Sequence, residues 1–96
     1  MSFWLYILRC SDGTFYIGHT DALELRLSQH DTGMASAYTA ERRPIELVFS
    51  EEFPTREEAF ARERQIKNWS RAKKQALIDQ DWERLSELAR GPNKAK

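Results

Sequence analysis

Phe3-Trp4-Leu5-Tyr6-Ile7-Leu8-Arg9, then Cys10-Ser11-Asp12-Gly13, then Thr14-Phe15-Tyr16-Ile17-Gly18-His19, is the stretch that decides the fold. Both outer runs are rich in aromatic and branched aliphatic residues, which suit a pleated strand, and the Ser-Asp-Gly between them is turn chemistry. The spacing predicts a β-hairpin over residues 3–9 and 14–20. Alternation sets Phe3, Leu5, Ile7 and Arg9 on one face and Trp4, Tyr6 and Leu8 on the other. Apolar side chains on both faces require cover on both sides, so helices from later in the chain must pack there.

Working outward, Leu23 to His30 reads as a helix near residues 22–32, with Asp21 as N-cap and Gly33 as its stop. Arg26 and His30 stand one turn apart on it, close enough to act on one group. Residues 34–44 are small and polar and end at Pro44, a long loop where function is expected. A third strand is predicted over residues 45–53, with Ile45, Leu47 and Phe49 alternating against Glu46, Val48 and Ser50.

Thr55 and Glu58 have capping-box spacing, and the helix they open puts Ala59, Phe60, Glu63, Ile66 and Lys67 on one face. Glu63 is therefore a carboxylate inside an apolar stripe, and burial there demands a cation, hydrogen bonds or a raised pKa. Ser70 caps a further helix running to about Gln80, and Trp82, Leu85 and Leu88 mark a last amphipathic helix ending at Gly91-Pro92. The expected architecture is α+β: a small antiparallel three-stranded sheet, a hairpin plus one later strand, flanked by helices. It forms one domain over residues 1–90, with 91–96 a flexible tail.

Composition bounds the function. Of the 96 residues, 41% are hydrophobic and 31% charged, the balance of a soluble globular chain. No apolar run approaches the roughly 20 residues that span a bilayer, and the N-terminus has no signal-peptide pattern. The single cysteine, Cys10, excludes an internal disulfide and any multi-cysteine zinc site, so a cytoplasmic protein is expected. Zero net charge argues against a strong non-specific nucleic-acid binder. Charge is uneven, however: residues 62–74 carry six basic side chains against Glu63 alone, which makes either a local basic surface or a solvated helix face.

Taken in order, Leu5-Tyr6, Tyr16-Ile17-Gly18, Arg26, His30 and Glu63 resemble the GIY-YIG nuclease superfamily. Tyr6-Ile7-Leu8-Arg9-Cys10, Ala37-Tyr38-Thr39 before Pro44, and the run Arg62 to Ser70 resemble its small single-domain bacterial branch. The likeness extends from Phe3 to about Ile78. Trp4 stands where the family has its first glycine, and His19 stands where some relatives carry a lysine. The asparagine that several members carry after the glutamate has no assigned equivalent.

The resemblance implies a metal-dependent endonuclease that hydrolyses phosphodiester bonds in DNA, with RNA also open as a substrate. It implies Glu63 as ligand of a single Mg²⁺ or Mn²⁺, Arg26 as phosphate clamp, and Tyr16 as first choice for orienting or deprotonating water. Tyr6 and His30 complete that cluster. Gly18 allows close backbone approach. His19, Tyr38, Arg42, Arg43, Arg62, Lys67, Arg71, Lys73 and Lys74 are candidate contacts to the nucleic-acid backbone, which position a substrate without reading its sequence. With no recognition helix or finger evident, structure-selective or partner-directed cutting is expected. A nucleic-acid-binding or interaction module that keeps the fold with weak or no catalysis is the alternative.

Overall fold

The computed structural model of the protein describes residues 2–90. The hairpin pairs β1 (Phe3–Arg9) with β2 (Phe15–Thr20) in antiparallel register, Tyr6 opposite Gly18 and Leu8 opposite Tyr16. The turn closes because Gly13 adopts a φ of 86°, open to glycine at no steric cost. The third strand, β3 (Glu46–Phe53), pairs antiparallel with the free edge of β1, giving the order β2-β1-β3. The three-stranded antiparallel sheet expected from the sequence is thus present.

Strict alternation along β3 fails at one point. Ile7 pairs with Phe49 but Leu8 with Leu47, so Val48 is an extra residue in a bulge. The bulge lets Val48 and Phe49 both reach the core, while Leu47 turns towards solvent.

The described residues form five helices, α1 (Leu23–Asp31) and α2 (Ala37–Ala40) between β2 and β3, and α3 (Arg56–Lys67), α4 (Arg71–Ile78) and α5 (Trp82–Arg90) after β3. Leu5, Ile7 and Ile17 pack against Ile66 of α3 and Leu77 of α4, with Leu85 of α5 at the rim. Each such fully buried side chain contributes about 1.5–3 kcal/mol. The opposite face, carrying Tyr6 and Tyr16, is covered by α1 and α2. Both faces are covered, as the apolar hairpin requires.

Two local expectations are corrected. Asp21 does not cap α1: the N-cap residue is Ala22, which makes no side-chain cap bond. Thr20 supplies the turn instead, its hydroxyl accepting from Ala22 N–H at 3.0 Å, while Asp21 pairs with Arg56. The loop over 34–44 contains the short helix α2, whose N-cap Ser36 accepts from Tyr38 N–H. Four residues are too few for periodicity to reveal. Thr55 and Ser70 cap α3 and α4 as their positions predict. The expected tail over 91–96, with the Gly91-Pro92 stop, lies outside the described residues. No described helix is long and apolar enough to cross a membrane.

Candidate active site

Polar side chains converge on the face of the sheet beneath α1 and α2. Tyr6 comes from the central strand, Tyr16 from the edge strand, His30 from the last turn of α1, and Thr39 from α2. Tyr6, His30 and Thr39 are wholly buried. Tyr6 Oη lies 2.9 Å from His30 Nε2, and His30 Nδ1 lies 2.8 Å from Thr39 Oγ1. Burial, and then the Arg26 cation, hold the His30 imidazole below its ordinary pKa of 6.5, so the ring is neutral at pH 7.

A neutral ring has one donor and one acceptor nitrogen. The Thr39 hydroxyl donates to the carbonyl of Ser36 at 3.3 Å, which leaves its lone pairs to accept from His30 Nδ1–H. The network thereby assigns the tautomer: Tyr6 O–H donates to Nε2, Nδ1–H donates to Thr39, and Thr39 donates to the backbone.

Burial pushes the Tyr6 phenol up to about 12, and the neighbouring Tyr16 adds to the rise. Arg26, by its charge and a hydrogen bond to the hydroxyl, pulls the other way, and Glu63 adds a smaller upward push. A cation from α1 and an anion from α3 therefore act on one phenol. Gly18 makes the packing possible: a β-carbon there would stand 2.6 Å from Tyr6 Oη and 2.8 Å from Tyr6 Cζ, inside any tolerable contact.

Tyr16 extends the cluster towards solvent. Its ring meets His30 edge-on at 5.0 Å between centroids and lies 6.1 Å from the ring of Tyr38. The Arg42 guanidinium sits 3.8 Å above Tyr38, anchored to Asp12 Oδ2 and the Tyr38 carbonyl, each at 3.0 Å. Hydrogen bonds from Thr14, with help from Arg42, hold the Asp12 carboxyl below the usual range.

Glu63 approaches β2 from the opposite side, beside His19, which alternates with Gly18 along the strand. His19 Nδ1–H donates to Glu63 Oε1 at 2.5 Å, and Lys67 Nζ, one turn along α3, donates to Oε2 at 2.6 Å. Only 9% of the Glu63 side chain is exposed. The carboxylate inside the apolar stripe therefore has the cationic partnership that its burial demands. The arrangement straddles an edge strand, with tyrosines, arginine and histidine on one side and the carboxylate on the other.

Residues 2–76 match the family model of the GIY-YIG catalytic domain. The chain belongs to the GIY-YIG family. A UPF0213 protein of Bacillus pumilus is 42% identical over 77 residues, which are 80% of this chain and 79% of that one. A UPF0213 protein of Natronomonas pharaonis is 44% identical over 75 residues, 78% and 88% of the two chains. Among solved structures, the fold is similar to the solution structure of a UPF0213 protein from Bacillus halodurans, with a TM-score of 0.55 and 39% identity over 82% of this chain and 84% of that one. A protein of E. faecalis gives a TM-score of 0.59 with 38% identity, covering 83% and 85%.

Tyr6, Tyr16, Gly18, Arg26, His30 and Glu63, the positions that match the GIY-YIG pattern, thus gather around the edge strand, with Tyr38 and Arg42 beside them. His19 and Lys67, expected at the substrate backbone, are engaged by Glu63. The Arg43 guanidinium is held by the carbonyls of Ala40 and Asp31, tying α2 to the end of α1. Arg62 and Lys73 flank Trp69, and Arg71 lies over Phe15 at 4.4 Å. Phe15 and Tyr16 project from opposite faces, so this basic group, with Lys74 on the same helix, sits across the sheet from the tyrosines.

Sequence reasoning does not assign Thr39 or Asp12 to the site. Thr39 has a sequence signal only as part of Ala37-Tyr38-Thr39, and its bond to His30 exists because α2 folds back over α1.

Among the described residues, no three His, Cys, Asp or Glu side chains converge as a metal cage. A hard, well-hydrated cation needs only one or two carboxylates, however, and Glu63 already attracts a cation, the Lys67 ammonium. The donor chemistry fits a single hydrated Mg²⁺ or Mn²⁺ on Glu63, once Lys67 gives way.

Proposed function

We propose that this GIY-YIG chain is a cytoplasmic, metal-dependent endonuclease that hydrolyses phosphodiester bonds in DNA and selects substrates by structure. The single observation that carries the proposal is that β2 brings to one sheet edge Arg26 with the Tyr6–Tyr16–His30 cluster on one face and Glu63 beside His19 on the other. Any one of these residues has an ordinary structural reading; their convergence, in the family's order, does not.

Glu63 would hold one Mg²⁺ or Mn²⁺, which when bound supplies Lewis-acid stabilisation of charge on the phosphate. Arg26 presents a planar fork of donors suited to clamping the non-bridging phosphate oxygens. Tyr16 stands at the solvent side of the cluster and is the residue assigned to orient the attacking water and, as the phenolate once its own proton has passed to bulk water, to take up the proton of that water. Tyr6 is unsuited to that task, since its proton is committed to His30 and its pKa is pushed up to about 12. Its role is to hold Arg26 and the ring of His30 in place. Tyr38, with Arg42 packed on its ring, extends the cluster towards the substrate backbone.

Structure selectivity is favoured because the contacts assigned to the substrate are to its phosphate backbone, which carries no sequence information. A panel of labelled single-stranded, duplex, flap and branched DNAs and a matched RNA, incubated with Mg²⁺ or Mn²⁺, tests the reading. Preferential cutting at a junction or flap is expected; equal cutting of plain duplex at one sequence would contradict it.

One observation favours the second reading, a binding module with weak or no catalysis. Both oxygens of Glu63 are engaged by His19 and Lys67. Binding of the same panel with no cleavage under any metal would support that reading.

A further inference from the structure

We propose that the Lys67 ammonium is a resident cation of the Glu63 carboxylate that must be displaced before a divalent ion binds, so that metal loading waits for the nucleic-acid phosphate. The inference rests on the metal-dependent reading above and adds an internal competitor to it.

The two oxygens of Glu63 are held by partners of different mobility. Oε1 is bonded by His19, which is carried on a strand, its ring tilted against Phe60 at 5.3 Å between centroids and only 22% exposed. Oε2 is bonded by Lys67 alone of the described residues, at 2.6 Å, from a side chain that is 54% exposed. A lysine is a compact charge on a flexible four-carbon stem, so it can swing from Oε2 into water without moving the helix. Oε2 is thus the oxygen open to exchange, and the ammonium and a divalent ion compete for it.

Charge sets the order of events. The Lys67 ammonium already neutralises the Glu63 carboxylate, so the resting pair carries no net negative charge to draw a divalent ion. With no cluster of further acidic ligands among the described residues, an added divalent ion meets mutual repulsion there. An anionic phosphate relieves that repulsion, and by linkage each ligand then tightens the binding of the other.

The test is Mn²⁺ binding by titration calorimetry to the native protein, Lys67→Met, Lys67→Arg and Glu63→Gln. Each is measured alone and with an uncleavable phosphorothioate hairpin DNA, after thermal melts show that all are folded. Without DNA, Lys67→Met should bind Mn²⁺ roughly tenfold more tightly than native, within the usual range of site coupling, and Lys67→Arg should stay near native. DNA should tighten Mn²⁺ binding by the native protein by a larger factor than by Lys67→Met. Equal Mn²⁺ affinity in native and Lys67→Met, with binding lost in Glu63→Gln, overturns the role of Lys67 and leaves the metal reading standing. Mn²⁺ binding that ignores Glu63 altogether overturns both.

Discussion

The Tyr6 hydroxyl donates to Nε2 of His30 across 2.9 Å, in a pocket from which water is excluded. This bond joins the central strand to α1 and divides the work of the two tyrosines, because it commits the proton of one and leaves the other to face the substrate.

Tyr6→Phe and Tyr16→Phe should therefore fail differently. Loss of the Tyr6 hydroxyl leaves a buried imidazole nitrogen without a partner, a cost of about 1–3 kcal/mol that urea denaturation would read. Tyr16→Phe should change stability by less than about 0.5 kcal/mol yet cost at least roughly a hundredfold in cleavage rate. Comparable activity in Tyr16→Phe and native protein would remove Tyr16 from the proton-transfer role.

Gly18→Ala tests the packing that brings the phenol to the edge strand. The added methyl meets Tyr6 Oη at 2.6 Å, so the strand or the tyrosine must shift. Overpacking of this kind costs about 1–3 kcal/mol, and a misplaced Tyr6 should also slow cleavage by roughly tenfold or more. A variant with native melting temperature and native rate would show that the contact is slack.

Thr39 is expected to set the tautomer of His30. Thr39→Val keeps the shape but removes the acceptor of Nδ1–H, while Thr39→Ser restores it. Nitrogen chemical shifts of the imidazole should report Nδ1–H in native protein and Thr39→Ser, and a mixed or inverted tautomer in Thr39→Val. An unchanged Nδ1–H signal in Thr39→Val would mean that Tyr6 alone orders the ring.

Stability should fall on acidification because of His30. Its folded pKa lies below the ordinary 6.5, so as pH falls the unfolded chain takes up the proton first. The contribution of His30 is complete above about pH 6.5 and is lost as pH drops from there through the lowered folded value. Denaturation at about pH 7.5 and pH 5 should show a larger loss for native protein than for His30→Gln. Parallel losses would assign the acid sensitivity elsewhere.

The sequence makes the sheet and the gathered residues legible for local reasons. Two β-rich runs around Asp12-Gly13 allow little but a hairpin, and capping residues at Thr55 and Ser70 mark where α3 and α4 begin. Glu63 stands out because a carboxylate in an apolar stripe has few bland explanations. What is illegible depends on contacts distant in sequence or on very short elements. The bulge at Val48 is set by pairing with β1, and α2 is one turn long. His19 and Lys67 read as phosphate contacts because both are basic; only the packing of α3 against β2 shows that they already share an anion. The basic run from Arg62 to Lys74 likewise looks like one surface, whereas Glu63 takes Lys67 while Arg62, Lys73 and Arg71 cover Trp69 and Phe15.

The most direct measurement is cleavage of a labelled branched DNA with Mg²⁺ or Mn²⁺ by native protein, Arg26→Ala and Glu63→Gln, with binding of the same DNA measured in parallel. Native protein should cut, Glu63→Gln should bind without cutting, and Arg26→Ala should lose cleavage by at least roughly a hundredfold. Binding without cleavage by all three, across both metals, would contradict the assignment of a nuclease and leave a nucleic-acid-binding module.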